Sequence, residues 1–181
     1  MNVKLRKIIS LIAAAAIFAA VLPGCSKADP TVPDGMKLAS DPELATYTFF
    51  VPDSWSIDTQ NASTRAYVSG TDRSFIMVMS GDLQHTDSTV DSWWESGLDE
   101  LKALYQNFEL SVEGEETKLD GADARKYVYS GDFGGTSFKY TQVAAVKGGV
   151  IYIITYGATA DKWDSHVDEV NKMIGNFRFG K

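Results

Sequence analysis

Two glycines, Gly148-Gly149, stand between a strand-like run over residues 137–146 and the unbroken apolar run Val150-Ile151-Tyr152-Ile153-Ile154-Thr155-Tyr156. Glycine reaches positive φ at little steric cost, which is what a two-residue primed turn needs at both central positions. A connection this short joins only antiparallel neighbours, because parallel strands require a crossover of a dozen residues or more. The pattern recurs upstream. Asp120-Gly121 separates residues 109–119 from 122–130, and Gly131-Asp132-Phe133-Gly134-Gly135 separates 122–130 from 137–146. The C-terminal half of the chain therefore reads as a meander of antiparallel strands.

The N-terminal half adds further strands. Tyr47, Phe49 and Val51 alternate with Thr46, Thr48 and Phe50 until Pro52-Asp53 stops the run; Trp55 and Ile57 begin a second, and residues 65–69 alternate again. Phe75-Ile76-Met77-Val78-Met79 is continuously apolar, as expected of a strand covered on both faces. The period then changes. Val90, Trp93, Trp94, Leu98, Leu101, Leu104, Tyr105 and Phe108 recur at steps of three and four, which predicts an amphipathic helix of about five turns. Ser88 and Asp91 have capping-box spacing. A second helix is predicted after Asp161, its N-cap, with Trp163, Val167, Val170 and Ile174 as its apolar stripe and Phe177 and Phe179 in a short last strand. The order strands, helix, strands, helix gives an α+β fold: a central, mostly antiparallel β-sheet sandwiched by helices. No internal repeat is present.

The first residues read as an address. Lys4, Arg6 and Lys7 precede a stretch from Ile8 to Val21 that is apolar apart from Ser10, which marks a secretory signal and is too short for a spanning helix. Leu22-Pro23-Gly24-Cys25 resembles the bacterial lipobox, although Pro23 is a less usual choice there. The resemblance implies cleavage before Cys25, recognised through Leu22, Pro23 and Gly24, and lipidation of the Cys25 thiol. Residues 1–24 are then a signal peptide. Residues 25–40 carry the lipid and a tether containing Pro30 and Pro33, and residues 41–181 form the domain. Two or three acyl chains anchor stably, each buried methylene adding about 0.8 kcal/mol. The expected location is lipid-anchored at a membrane, facing out of the cytoplasm; either membrane is open to it if the cell has two. Cys25 is the sole cysteine, so the fold has no internal disulfide and stands on its core.

The formal net charge is −7, and loss of the leader, with its three cations and no acid, leaves the remainder more acidic still. Such a domain lacks the clustered Lys and Arg that nucleic-acid binding needs. A search for chemistry finds little. His85 and His166 lack the spacing of zinc ligands, and each fits a surface or helix-flank position. There is no Gly-x-Ser-x-Gly elbow and no phosphate-binding Gly-Lys loop; Ser69-Gly70 and Ser130-Gly131 read as turns. Asp99-Glu100, Glu113-Glu115-Glu116 and Asp164-Asp168 could in principle supply an acid–base pair, but solvated surfaces account for them. No catalytic residue, cofactor site or metal site is expected. The tryptophans remain. Trp55, Trp93 and Trp94 form a candidate interaction surface, since an exposed aromatic marks a binding patch.

Several ordered segments resemble the Mog1/PsbP-like family, which includes bacterial PsbP-related lipoproteins. Phe49-Phe50-Val51-Pro52-Asp53-Ser54-Trp55 is similar to its opening strand and P-x-x-W turn. Leu119-Asp120-Gly121-Ala122-Asp123-Ala124-Arg125-Lys126-Tyr127 is similar to its DG-x-x-A-x-x-Y strand entry, Val150-Ile151-Tyr152-Ile153-Ile154-Thr155-Tyr156-Gly157-Ala158 to its later strand, and residues 161–179 to its closing helix with an F-x-F end. The resemblance covers nearly the whole domain and is structural in every part. It implies a sheet sandwiched by helices and a role exercised by binding partners, a small GTPase or a photosynthetic complex in known members, neither of which transfers. The expected function is a membrane-anchored, non-catalytic protein-binding or accessory module with a protein partner. The alternatives are a small-molecule or glycan binding module, marked by a deep aromatic pocket near Trp55, Trp93 or Trp94, and a hydrolase, marked by two buried carboxyls with raised pKa in one cleft.

Overall fold

The computed structural model describes residues 31–60, 63–83 and 88–180. In chain order the strands are β1 (Met36–Leu38), β2 (Tyr47–Thr48), β3 (Phe50–Pro52), β4 (Ser56–Gln60), β5 (Ser63–Tyr67) and β6 (Phe75–Asp82). Helix α1 (Val90–Leu104) follows, then β7 (Gln106–Leu119), β8 (Ala122–Phe133), β9 (Thr136–Lys147) and β10 (Val150–Thr159). A 3-10 turn (Trp163–His166) leads into α2 (Val167–Gly175), and β11 (Arg178–Phe179) ends the chain. Seven strands form one antiparallel sheet in the order β4-β5-β6-β10-β9-β8-β7. The three tight turns carry it: φ is +44° and +79° at Asp120-Gly121, +58° and +80° at Gly134-Gly135, and +62° and +80° at Gly148-Gly149. These are the backbone values that primed turns demand.

Each sheet face has its own core. On one side Ile76, Val78, Val143, Ala145, Tyr152, Ile154 and Tyr156 pack under α2, through Val170 and Met173, and under the small pairs β1-β3 and β2-β11. On the other, Tyr127, Tyr129, Tyr140, Ala144, Ile151 and Ile153 pack under Val90 and Trp94 of α1. Alternate residues of β10 thus serve opposite faces, which is why its sequence is apolar throughout. Close approach is specific at Gly131, where an added Cβ would lie 2.5 Å from Cβ of Tyr105. Gly131→Ala is expected to destabilise by about 1–3 kcal/mol through overpacking, readable in urea unfolding; a change within experimental error would show that Tyr105 can move away from β8 without cost.

Four sequence expectations change. Residues 36–40, assigned to the tether, belong to the folded body: Met36, Lys37 and Leu38 pair with Pro52, Val51 and Phe50, and Met36, Ala39 and Ser40 are buried. A three-residue strand carries too little periodicity to show in composition. The 75–79 run is covered fully on one face only. Ile76 and Val78 are buried, whereas Met77 is half-buried and Met79 is 38% exposed, because α1 lies mainly over β7, β8 and β9. Helix α1 stops at Leu104. Tyr105 is extended, Asn107 has φ +51°, and Phe108 already belongs to β7; it joins the same core from the strand, which prolongs the helical spacing beyond the helix. Capping, too, falls elsewhere. The box is Thr89 with Ser92, and Asp161 precedes a 3-10 turn without a side-chain cap.

Candidate functional site

The predicted aromatic surface divides in three. Trp55 is 1% exposed. Its Nε1 donates to Oε2 of Glu169 at 3.4 Å and its ring meets the His166 ring edge-on at 5.7 Å. It is a core residue, not a contact surface, because the turn after Pro52 folds it beneath α2. Trp94 is 5% exposed and stacks on Tyr127 with centroids 3.9 Å apart at 12°, so it too is core. Only Trp93, about 100° further round the helix, remains half-buried. Leu22, Pro23, Gly24, Cys25 and His85 lie outside the described residues.

Trp93 and the largely buried Trp94 line an apolar crevice of about 160 Å³ with Gly97, Leu98, Leu101, Tyr129 and Gln142. Gly97 brings no side chain into it, and nothing lies within 4 Å of where its Cβ would be. Beyond Trp94 a polar trough runs toward the start of the helix, between α1 and strands β7 and β8, with volumes of about 320 and 560 Å³ for its two parts. Arg125 stands at their junction. Its Nε and Nη2 donate to both oxygens of Asp91 at 3.1 and 3.3 Å, and Nη1 donates to Glu116 at 2.9 Å. The hydroxyl of Tyr127 donates to Asp91 at 3.4 Å; burial, then the Asp91 carboxylate, pushes its pKa up to about 12. Lys118 pairs with Asp123 at the rim. Glu95 and Glu113 also line the trough, which leaves it with an excess of negative charge beside an apolar crevice. At the far end of α1 the apolar surface continues, for Leu104 and Phe133 are each 54% exposed and Tyr105 packs edge-on against Phe133.

Sequence reading missed a second polar cluster on the other face. His166 Nε2 lies 3.0 Å from Oδ2 of Asp72, and Nδ1 lies 2.9 Å from Oε2 of Glu169. Burial alone would lower the imidazole pKa, but the hydrogen bonds and charges of the two carboxylates outweigh it and raise the pKa. Asp72 shows the converse. Burial works to raise its pKa, and the hydrogen bonds from Ser74 and His166 bring it down to about 2. Both ring nitrogens face carboxylates, so neither is left to take a proton from a nucleophile. The cluster is an ionic clamp between the β5–β6 connection and α2. Asp72 and His166 lie 94 positions apart in the chain, so no local motif announces it.

Among the described residues no group of three His, Cys, Asp or Glu side chains is placed to hold a metal ion. The carboxyls whose pKa is displaced, Asp72, Asp123 and Asp132, are all displaced downward, whereas a glycosidase-type general acid requires an upward displacement. No helix among these residues is long and apolar enough to cross a membrane.

No family model and no curated protein sequence matches the chain. Solved structures do share its fold. The solution structure of cyanobacterial PsbP (CyanoP) from Synechocystis sp. PCC 6803 aligns with a TM-score of 0.59 at 15% identity, over 83% of this chain and 95% of that one. LpqN, involved in cell envelope biogenesis of Mycobacterium tuberculosis, gives 0.57 at 17% identity, over 81% and 92%. The Ran-binding protein Mog1p of Saccharomyces cerevisiae gives 0.55 at 10% identity, over 80% and 95%. The domain therefore has the Mog1/PsbP-like α+β fold expected from its sequence.

Proposed function

We propose that the protein is a lipid-anchored, extracytoplasmic, non-catalytic binding module that seats a protein partner along α1. The observation that carries this reading is the joined surface of an apolar crevice at Trp93, Leu98 and Leu101 and an acidic trough at Asp91, Glu95, Glu113 and Glu116. A half-buried aromatic anchor beside a polar rim is the usual make-up of a protein-binding hot spot. The similar structures support it at the level of fold, since one of them is a Ran-binding protein and another is involved in cell envelope biogenesis. The crevice, at about 160 Å³, falls short of the roughly 300–1,000 Å³ typical of small-molecule sites, which disfavours a deep aromatic ligand pocket at Trp93. Anchoring rests on Leu22-Pro23-Gly24-Cys25.

Two experiments test the two halves of the proposal. In cells, a photo-crosslinking residue at Trp93 is expected to trap one dominant partner, one at Lys172 on the opposite face is expected to trap none, and Leu98→Arg is expected to abolish the Trp93 product while the domain stays folded. The same products from both positions, or survival of the product in the Leu98→Arg variant, would sink the α1 surface as the interface. For the anchor, metabolic labelling with an alkynyl fatty acid is expected to mark the wild-type chain and not Cys25→Ala; equal labelling of both would overturn lipidation at that residue.

A further inference from the structure

The half of the sheet that α1 leaves open carries a separate notch of about 310 Å³, lined by Asp58, Arg65, Tyr67, Ser69, Gly70 and Arg73. In a chain of net charge −7, two guanidinium groups in one concavity call for a reason. Among the described residues neither Arg65 nor Arg73 forms an ion pair, in contrast to Arg125, which is satisfied by two carboxylates. Arg65 projects from β5 on the open face, and its guanidinium sits over the Phe75 ring at 4.9 Å, which restrains the group and leaves its in-plane N–H donors available. Arg73 belongs to the β5–β6 connection.

That connection is held by several hydrogen bonds. The backbone N–H of Val68 donates to Ser74 O and that of Ser69 to Asp72 O, both at 3.0 Å. The Asp72 N–H donates to the Ser69 hydroxyl and the Ser74 N–H to the Asp72 carboxylate, again at 3.0 Å. The same carboxylate is held by His166 of the clamp. The turn that presents Arg73 is thereby fixed to the helix beneath it, and a site whose donors are held in place binds with less loss of entropy.

We propose that this notch binds a phosphate group. A planar carboxylate satisfies one guanidinium through its two oxygens; a tetrahedral phosphate has oxygens to spare for a second guanidinium and for the Tyr67 hydroxyl. Asp58 also lines the notch and offsets part of the positive charge, which holds the affinity for a lone anion to the modest range and favours a group that engages both arginines at once. The phosphate can belong to a soluble molecule or to a lipid headgroup, and the two sources are separable by experiment.

The test uses the full chain in detergent micelles and follows the Arg65 and Arg73 Nε–H and the Gly70 amide signals by NMR. Inorganic phosphate is one probe; dioctanoyl phosphatidic acid, with dioctanoyl phosphatidylcholine as control, is the other. Saturable shifts with inorganic phosphate are expected, weakened at least about tenfold by Arg73→Gln, as loss of a charge-assisted bond predicts. Arg65→Lys, which keeps the charge but loses the fork, is expected to weaken binding less. A response to inorganic phosphate and phosphatidic acid alike assigns the site to the phosphate itself. A response to phosphatidic acid alone assigns it to a headgroup. Equal shifts from sodium acetate, or phosphate shifts that persist unchanged in a folded Arg65→Gln/Arg73→Gln double variant, would overturn the proposal.

Discussion

Truncating Trp94 to alanine is expected to cost about 3–5 kcal/mol of stability, the range observed for removing large aromatics from cores. The indole is 5% exposed, stacked on Tyr127 and tilted against Tyr129 at 6.0 Å. It is one of two α1 residues buried against the sheet, the other being Val90, so its loss opens a cavity and loosens the helix that forms the crevice. The indole N–H has no hydrogen-bond partner among the described residues. Replacement by phenylalanine therefore removes no hydrogen bond and keeps most of the stacking, and should cost far less than alanine. Urea unfolding monitored by far-UV circular dichroism checks both. Near-equal losses for the two variants would show that a phenyl ring does not recover the stacking on Tyr127. Trp93→Ala is the informative contrast: a half-buried side chain should cost much less stability while removing the proposed partner's anchor. Under the proposed function the comparison of two adjacent tryptophans separates a mainly structural loss at Trp94 from a mainly binding loss at Trp93.

Those adjacent residues also show what could and could not be read in the sequence. Spacing of three and four predicts a helix and says that Trp93 and Trp94 diverge, but it does not say which meets the sheet; that is decided by where Tyr127 and Tyr129 stand on β8. The meander was legible because each two-residue turn is spelled by residues that accept positive φ. The edge strand β7 was weakly legible, since it faces water along most of its length and its pairing with β8 shifts register near Gln106, Leu110 and Val112, so alternation breaks down. Trp55 was misread because an aromatic after a proline turn has no periodic neighbours to show its direction. The clamp at His166 and the notch at Arg65 and Arg73 were not legible at all. Both arise from contacts between elements whose distance in space only the fold determines.

The clamp makes a prediction that its geometry and charges give together. Asp72→Ala removes the acceptor for the Ser74 N–H and for His166, and is expected to cost about 2 kcal/mol, near the lower part of the range for bonds to charged groups because the side chain is partly solvated. The pH dependence fixes the mechanism more firmly than the magnitude. The Asp72 pKa is lowered from 3.8 to about 2 in the folded state, so its contribution is present above about 3.8 and is lost as pH falls through about 2. The His166 pKa is raised from 6.5 in the folded state, so its contribution is full below that value and fades as pH rises through the folded pKa. The wild-type clamp should hold best between these limits, at mildly acidic pH. His166→Gln should flatten the alkaline limb of the stability profile and leave much of the acid limb; Asp72→Ala should flatten the acid limb and weaken the alkaline one, since Glu169 alone still pairs with the imidazole. Urea unfolding at a series of pH values measures all three profiles. An alkaline limb unchanged in His166→Gln would show that another group carries it. Because the clamp also fixes the turn bearing Arg73, Asp72→Ala should broaden the Arg73 Nε–H signal even where the fold is intact, which ties the stability of α2 to the order of the open half of the sheet.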